Sequence, residues 1–205
     1  FGDLGTGLMR NCPCPVWVVR PEQTVPCTRI LAAVGGDDGD PRCEAMNGCI
    51  VGLGAALARS HDAELHIVHA WSPRGKDAEL LTNEIADETR EHVLRRNEAA
   101  CRSAINRLLS ETPVAGLDHQ IHLPRGLPQR EIVSLAGRLA VDVVVMGGTW
   151  RTGIPRLLMG NPAETVFGTI GCSVLTLKAE GIEALQPGKP DVDLPSAPLR
   201  AVGAR

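Results

Sequence analysis

Short apolar segments alternate with longer amphipathic ones through most of the chain. Apolar runs rich in β-branched residues predict five buried strands, at residues 29–34, 65–70, 119–123, 141–146 and 173–177. Apolar residues at helical spacing predict helices at residues 40–58, at 76–109 with a break near its start as an alternative, at 128–139 and from Pro162 onward. Strands that alternate with helices need right-handed crossovers, so the pattern predicts an α/β fold with a doubly wound parallel sheet.

The segment before the first of these strands is similar to the last strand of the chain. Residues 14–20, CPVWVVR, align with residues 172–178, CSVLTLK, at a distance of about one domain of this kind. The repeat predicts residues 1–27 to be the remnant of a preceding domain, with its last helix turn and last strand, plus a linker. Residues 28–180 then form one complete domain, and residues 181–205 form a proline-rich extended tail. A chance likeness between two short apolar strands is the alternative, because such strands are common in this fold class.

A strand that has lost its own domain leaves an exposed backbone edge. We therefore expect residues 16–19 to pair with the last strand, residues 173–177, of the same chain or of a second copy. Pairing between copies predicts a homodimer. Removal of the segment before Pro21 is then expected to change the oligomeric state.

The composition is that of a folded cytoplasmic protein without a polyanionic partner. Hydrophobic residues make up 43% and charged residues 22% of the 205 residues, which is enough apolar material for about one domain. The net charge of -3 gives no general attraction for nucleic acid, and aromatic residues, at 2%, supply no stacking platform for it. No apolar run approaches the ~18 residues that span a bilayer, and the first residues lack the pattern of a signal peptide.

Cysteines and histidines do not form a predicted metal or redox site. Seven cysteines without an export signal predict reduced, mostly buried thiols. Cys12 and Cys14 are separated by one residue, whereas redox and zinc motifs have two, and no second pair completes a site. Two pairs of histidines stand three apart in predicted strands, and we expect the members of each pair to point to opposite faces of the sheet: His66 with His69, and His119 with His122.

Motifs for enzymatic chemistry are absent from the chain. It contains no Gly-x-Ser-x-Gly elbow, no P-loop and no His-Glu-x2-His, so hydrolase, NTPase and zinc-protease interpretations have no anchor. Glu and Arg alternate at helical spacings over residues 88–102, which predicts a solvated helix face with ion pairs. The sequence therefore favours a protein that is not an enzyme.

The candidate ligand site lies at the carboxyl ends of the strands, where the strand order reverses. Two predicted loops reach it, residues 35–40 and residues 147–161. Glycines in the second loop let backbone amides approach a ligand, and the helix that follows Gly160 offers free N–H groups to an anion such as phosphate. Helix capping explains the same residues equally well, because Asn161 suits the N-cap position and Glu164 completes a capping box.

Residues 141–178, VDVVVMGGTWRTGIPRLLMGNPAETVFGTIGCSVLTLK, resemble the C-terminal signature of the universal stress protein family, and RILAAVGG at residues 29–36 resembles its first strand. MRNCPCPVWVVRP at residues 9–21 is similar to the end of a first such domain, which points to the tandem two-domain members. The resemblance covers residues 29–178. It implies an adenine nucleotide alpha hydrolase-like, Rossmann-like fold with a five-stranded parallel sheet of order 3-2-1-4-5. It also implies pairing with another such domain through the last strand.

Nucleotide-binding members of that family carry Gly-x2-Gly-x9-Gly-Ser/Thr after the fourth strand, and the pattern falls on Gly147, Trp150, Gly160 and Asn161. Two positions depart from it, because an indole at Trp150 crowds the phosphates and an amide at Asn161 replaces the hydroxyl. The adenine-side Asp of the family corresponds to Gly35, which has no carboxylate. The resemblance therefore implies a degenerate nucleotide site, an inference from the site rather than from the fold.

The candidate cofactor-binding residues come from the two loops: Gly35, Gly36, Gly147, Trp150, Arg151, Gly160 and Asn161. Arg151 faces a phosphate in one interpretation and is simply solvated in the other. Trp71 and Trp150 either line one wall of an apolar pocket or pack as ordinary core residues.

We therefore expect a universal stress protein that acts by binding rather than catalysis and holds no cofactor. The first alternative is a switch that binds ATP with magnesium and slowly hydrolyses it or autophosphorylates, with Gly147, Gly160 and Asn161 around the phosphates. A further alternative is a binder of a small apolar or lipid-like ligand in the same cleft.

Overall fold

The structure is a computed structural model and describes residues 3–12, 14–21, 26–35, 40–83, 85–148 and 162–178. The elements follow one another in this order: α1 Asp3–Asn11, β1 Val16–Val18, β2 Arg29–Ala33, α2 Pro41–His61, β3 Glu64–Val68, α3 Gly75–Thr82, α4 Asp87–Ser110, β4 His119–His122, α5 Pro128–Arg138, β5 Val143–Gly147, α6 Pro162–Thr169 and β6 Ser173–Leu177. The five strands expected from the apolar runs are all present, so the pattern of apolar and β-branched residues located them correctly.

The sheet has six strands in the order β1-β6-β5-β2-β3-β4. The five strands from β6 to β4 run parallel, and counted along the chain from β2 they have the expected order 3-2-1-4-5. The expectation of a wholly parallel five-stranded sheet is wrong by one strand. β1 adds to β6 in the antiparallel direction, with Trp17 opposite Leu175. This pairing satisfies the edge of β6 that a five-stranded sheet would leave open.

Both faces of the sheet are buried, as the near-continuous apolar strands require. On one face, the strands pack against α2 and the last turns of α4 in a cluster that includes Ile30, Ile50 and Ile105. On the other face, α1, α5 and α6 cover a second cluster that includes Leu31 and Phe167. The carboxyl ends of the parallel strands therefore open between two helical layers.

The helix α2 packs unusually close to the sheet. Its N-terminus is capped by Asp40, whose side chain accepts a backbone hydrogen bond in the first turn, and it ends at Asp62 in the left-handed conformation, φ 55°. Gly54 faces the strands, where a Cβ would lie 3.3 Å from both Ala32 Cβ and Leu65 Cδ1. The helix therefore approaches the sheet through a residue without a side chain.

The break near the start of the predicted helix 76–109 separates α3 from α4. The two helices are joined by Asp77, which accepts hydrogen bonds from Arg96 Nη2 at 2.6 Å and Asn97 Nδ2 at 2.8 Å. Further along α4, ion pairs four residues apart confirm the predicted solvated face. No helix in the described part of the chain combines the length and apolar character needed to cross a membrane.

The N-terminal segment is fixed to the end of the domain by more than β1. The Arg20 amide donates to Ser173 Oγ at 2.9 Å, and Arg20 Nη2 donates to the Ile170 carbonyl at 2.6 Å. Met9 of α1 is buried in the cluster that contains α6. Of the two predicted arrangements, the strand pairs within its own chain, and the predicted helix turn before it is the nine-residue helix α1.

Candidate functional site

The strand order reverses at β2 and β5, whose carboxyl ends form the crevice in which doubly wound sheets bind ligands. Ala33 near the end of β2 is in register with Met146 of β5. The chain continues from these residues to Gly35 and Gly147, so the structure brings these two predicted site residues to the same edge of the sheet.

Gly35 contributes only backbone to the crevice, and its amide is already bonded. The Gly35 N–H donates to Asn47 Oδ1 at 3.1 Å, from the second turn of α2. Where the resemblance implies a carboxylate, the crevice presents a neutral side-chain amide that is used to hold the loop.

Gly147 lies over apolar side chains of α2. A Cβ there would be 3.5 Å from Met46 Cγ and 3.8 Å from Ile50 Cδ1, which is ordinary van der Waals contact. Gly148 is tighter, because its N–H donates to the Leu177 carbonyl at 2.7 Å and a Cβ would lie 3.3 Å from that oxygen. Apolar residues of α2 therefore close one side of the crevice below the end of β5.

A pocket of about 360 Å³ adjoins Gly35 between α2 and α4. Arg107 Nη2 of α4 lies 3.1 Å from Glu44 Oε1 of α2, and both of these residues line the pocket. Sequence reasoning missed its polar lining, because the residues come from three separate elements. Only Cys43 and Asn47, four apart on one helix, gave a signal. The polar and sulfur-containing side chains that face the pocket include Cys43, Asn47, His69, Cys101 and Thr112.

Five predicted site residues lie outside the described residues: Gly36, Trp150, Arg151, Gly160 and Asn161. The capping interpretation of Asn161 and the phosphate interpretation of Arg151 fall there with them. Of the two that the structure describes, Gly35 lines the pocket and Gly147 covers Met46.

Trp71 is held by the segment that follows β4. Its indole Nε1–H donates to the Leu123 carbonyl at 2.9 Å and its backbone N–H to the Pro124 carbonyl at 3.0 Å, and the residue is 6% exposed. Trp71 is not among the described residues that line the pocket. Trp71 packs against this segment, and the alternative of an apolar wall shared with Trp150 stays a prediction, because Trp150 lies outside the described residues.

Two histidines from different strands meet on the sheet face that α5 covers. His66 Nδ1 of β3 lies 3.1 Å from His122 Nε2 of β4. His69 instead lines the pocket, so the expectation that His66 and His69 diverge is confirmed. The pair across the strands was missed because the register of two parallel strands is not visible in one sequence. Within the ranges described, no group of three or more His, Cys, Asp or Glu residues could hold a metal ion.

None of the seven cysteines forms a disulfide bond, and they are less deeply buried than predicted. Cys27 is buried, five others are half-buried and Cys14 is exposed. Burial raises the pKa of the Cys49 thiol, and it is the main cause that raises the pKa of Cys172 to about 11. A raised pKa keeps these two sulfurs in the unreactive thiol form.

Comparison with known families gives a match over most of the chain. The universal stress protein family model matches residues 28–178. This range contains every strand from β2 to β6 and both glycines of the crevice.

Curated relatives and solved structures agree with that match. Universal stress protein E of Escherichia coli (strain K12) is 27% identical over 174 residues, which are 84% of this chain and 54% of that protein. The chain therefore spans about half the length of the curated relatives it matches. The structure of a functionally unknown protein, PA1789 from Pseudomonas aeruginosa PAO1, has a TM-score of 0.67 at 26% identity, over 90% of this chain and 59% of that one. Universal stress protein UspA from Lactobacillus plantarum shares the fold, with a TM-score of 0.54 at 18% identity, over 75% of this chain and 99% of that one.

Proposed function

The chain belongs to the universal stress protein family, and from this premise we propose that it is a non-enzymatic stress-response binding module with a degenerate nucleotide site. The proposal rests on one observation at the end of β2. Gly35 stands where the resemblance implies the adenine-side Asp, and its N–H is bonded to Asn47 Oδ1 at 3.1 Å. Without a carboxylate at this position the crevice loses a directed acceptor for the adenine edge, and a site that lacks such a partner discriminates strongly against its ligand.

The sequence of the glycine loop supports the same proposal. Trp150 replaces a glycine where backbone must approach the phosphates, and Asn161 replaces the hydroxyl residue. Gly35, Trp150 and Asn161 thus differ from the nucleotide-binding pattern at three separate points of one site. We expect the three differences to weaken ATP binding together, because each affects a different contact with the nucleotide.

The test is native mass spectrometry of the purified chain, followed by titration with magnesium and ATP. We expect no nucleotide mass on the purified protein and no ATP adduct across the physiological range of ATP. A stoichiometric ATP adduct would overturn the proposal. It would favour the switch that slowly hydrolyses ATP or autophosphorylates.

A gain-of-binding variant tests the cause of the degeneracy. In Gly35→Asp combined with Trp150→Gly, we expect ATP affinity to rise by at least about tenfold, since the acceptor returns and the indole is removed. Ser134→Asp, which adds a carboxylate on the exposed side of α5, is the matched control and should not change ATP binding. An unchanged affinity in the double variant would show that Gly35 and Trp150 are not what disables the site.

The pocket between α2 and α4 supports a second candidate function, the binding of a small and mostly apolar ligand. Its volume of about 360 Å³ falls within the usual range for small-molecule sites, which combine apolar walls with a few polar groups. Ile105 and Leu108 form the apolar wall, and Asn47 and His69 supply polar groups. Charged side chains line the rest of the pocket: Glu44, Arg107 and Glu111.

Octanoate is a suitable probe for this second candidate. In calorimetric titration we expect it to bind the wild type and Ala99→Phe, a substitution on the exposed side of α4. It should not bind Ala104→Phe, because that phenyl ring fills the pocket. Equal binding by Ala104→Phe, or no binding by any of the three proteins, would contradict the candidate.

We further propose that residues 1–27 correspond to the end of a preceding universal stress protein domain and that the chain forms a homodimer through β1. The curated relatives are about twice as long as the matched region, and β1 lies antiparallel on β6. Since β6 lies between β5 and β1, the open edge on this side of the described sheet is the outer edge of β1. Trp17 is 41% and Val19 56% exposed at this edge.

A further inference from the structure

Three titratable side chains form a chain on the face of β3 and β4 that α5 covers. His66 Nδ1 lies 3.1 Å from His122 Nε2, and His66 Nε2 lies 3.5 Å from Glu64 Oε2. The second distance is longer than a hydrogen bond, and His66 Nε2 has no hydrogen-bond partner among the described residues. His66 is only 2% exposed, so water does not replace that partner.

The geometry defines where the protons of the neutral cluster lie. His122 Nε2–H must donate to His66 Nδ1, since the opposite direction would leave His66 Nε2 as a lone pair that faces the Glu64 carboxylate. With this assignment, the His66 Nε2–H points at a carboxylate oxygen. An extra proton enters on the outer nitrogen of His122, where the positive charge is half-buried near Arg138 and would be better solvated once the strand opens.

The surroundings of the cluster disfavour additional positive charge. The pKa of His122 is lowered, first by burial, then by His66 and by Arg138 at the end of α5. From β2, Arg29 Nε lies 3.3 Å from Glu64 Oε2 and shares that carboxylate with His66. Two guanidinium groups beside the cluster also make it a poor site for a metal cation, so protons are the species to which it responds.

The cluster holds an edge strand that is hydrogen-bonded to one residue of the pocket wall. β4 is the last strand of the sheet on its side and pairs only with β3 in the described structure. The carbonyl of His122 accepts the N–H of His69 at 3.0 Å, and His69 lines the pocket. Loss of the imidazole contact therefore weakens both the edge strand and one wall of the pocket.

We propose that Glu64, His66 and His122 form a proton-sensitive clamp that secures β4 near neutral pH and releases it on acidification. Proton binding determines the direction of this pH dependence. In the open strand, His122 regains the ordinary histidine pKa of about 6.5, so the open state binds more protons than the clamped state below that pH. The clamp is fully effective above about pH 6.5 and weakens as the pH falls, by at most about tenfold in the opening equilibrium per pH unit for the one proton that His122 takes up. The clamp does not depend on which ligand the pocket binds.

Amide hydrogen exchange of the full chain between pH 7.5 and 5.5 tests the clamp. After correction for intrinsic exchange rates, we expect residues 119–126 to lose protection relative to β5 progressively below pH 6.5, by at most about tenfold per pH unit. In His122→Gln, the side-chain Nε2 still donates to His66 but does not titrate, so that relative loss should vanish. His92→Gln, at an exposed position of α4, is the matched control and should behave like the wild type.

Unchanged protection of β4 relative to β5 in the wild type would overturn the clamp, and so would a wild-type loss that persists in His122→Gln. A second measurement needs no variant. In nitrogen NMR spectra at pH 7.5, we expect a proton on Nε2 of both His66 and His122 and a lone pair on His66 Nδ1. A proton on His66 Nδ1 would also overturn the assignment.

Discussion

At the scale of single residues, Asp142 joins the start of β2 to the start of β5. Its Oδ2 accepts from the Thr28 amide at 2.6 Å, the Thr28 hydroxyl at 3.0 Å and the Arg29 amide at 3.0 Å. In Asp142→Ala both amides lose this acceptor, and we expect the free energy of unfolding to fall by about 2 kcal/mol, as measured in urea. Thr28→Ala removes only the hydroxyl and should cost roughly 0.5–1 kcal/mol. Equal losses in the two variants would contradict this account.

An exposed and a half-buried cysteine should differ strongly in reactivity. Cys14 is exposed, whereas burial raises the pKa of Cys172 to about 11. At pH 8, only about one in a thousand Cys172 side chains is then a thiolate. We expect iodoacetamide to label Cys14 rapidly and Cys172 at a detectable rate only after unfolding, as followed by peptide mass spectrometry. Comparable labelling of both in the folded protein would be the contrary result.

The residue scale also shows where sequence reasoning stops. Gly35 could be located at the crevice from the sequence, because a glycine pair after an apolar run marks the end of a strand. Its bond to Asn47 could not, because the helix that carries Asn47 is placed by packing of Gly54 rather than by a local signal. The contact of His66 with His122 depends on strand register, which one sequence does not reveal.

At the scale of elements, Asp77 holds α3 against α4. The pKa of its carboxyl is lowered, chiefly by the hydrogen bonds from Arg96 and Asn97. We expect Asp77→Asn to raise amide exchange in α3 at neutral pH, because both donors lose a charged acceptor. Glu91→Gln removes only a surface ion pair within α4 and is the matched control. Equal exchange in Asp77→Asn and the wild type would contradict this role.

The same two helices, α3 and α4, were predicted only in part. Apolar spacing over residues 76–109 is continuous enough to predict one helix, with a break only as an alternative. The position of the break is set by polar contacts that bring Asp77 back to Arg96, nineteen positions along the chain. Strands were easier to locate, since β-branched runs such as Val143–Gly147 are buried on both faces.

At the scale of the whole molecule, the order of the five parallel strands followed from the resemblance, and the sixth strand followed from the internal repeat. The repeat predicted that β1 pairs with β6, but it left open whether the partner is the same chain or a second copy. Pairing within the chain covers the edge of β6 and transfers the open edge to β1. The strand β1 has only three residues and carries the exposed indole of Trp17. It protects its own open edge poorly, because natural edge strands are normally protected by charge or a bulge.

This transfer of the open edge gives a prediction about assembly. We expect the full chain to be a dimer by light scattering after size-exclusion chromatography, with the outer edge of β1 and the Trp17 side chain at the interface. Trp17→Lys places a charge on that edge and should give a monomer that keeps the β1 and β6 pairing, whereas Leu127→Lys, at another exposed apolar residue, should remain a dimer. Removal of the segment before Pro21 uncovers the edge of β6 and should also change the oligomeric state. A monomeric full chain, or a dimer that survives both Trp17→Lys and the truncation, would show that β1 closes the sheet and recruits no second copy.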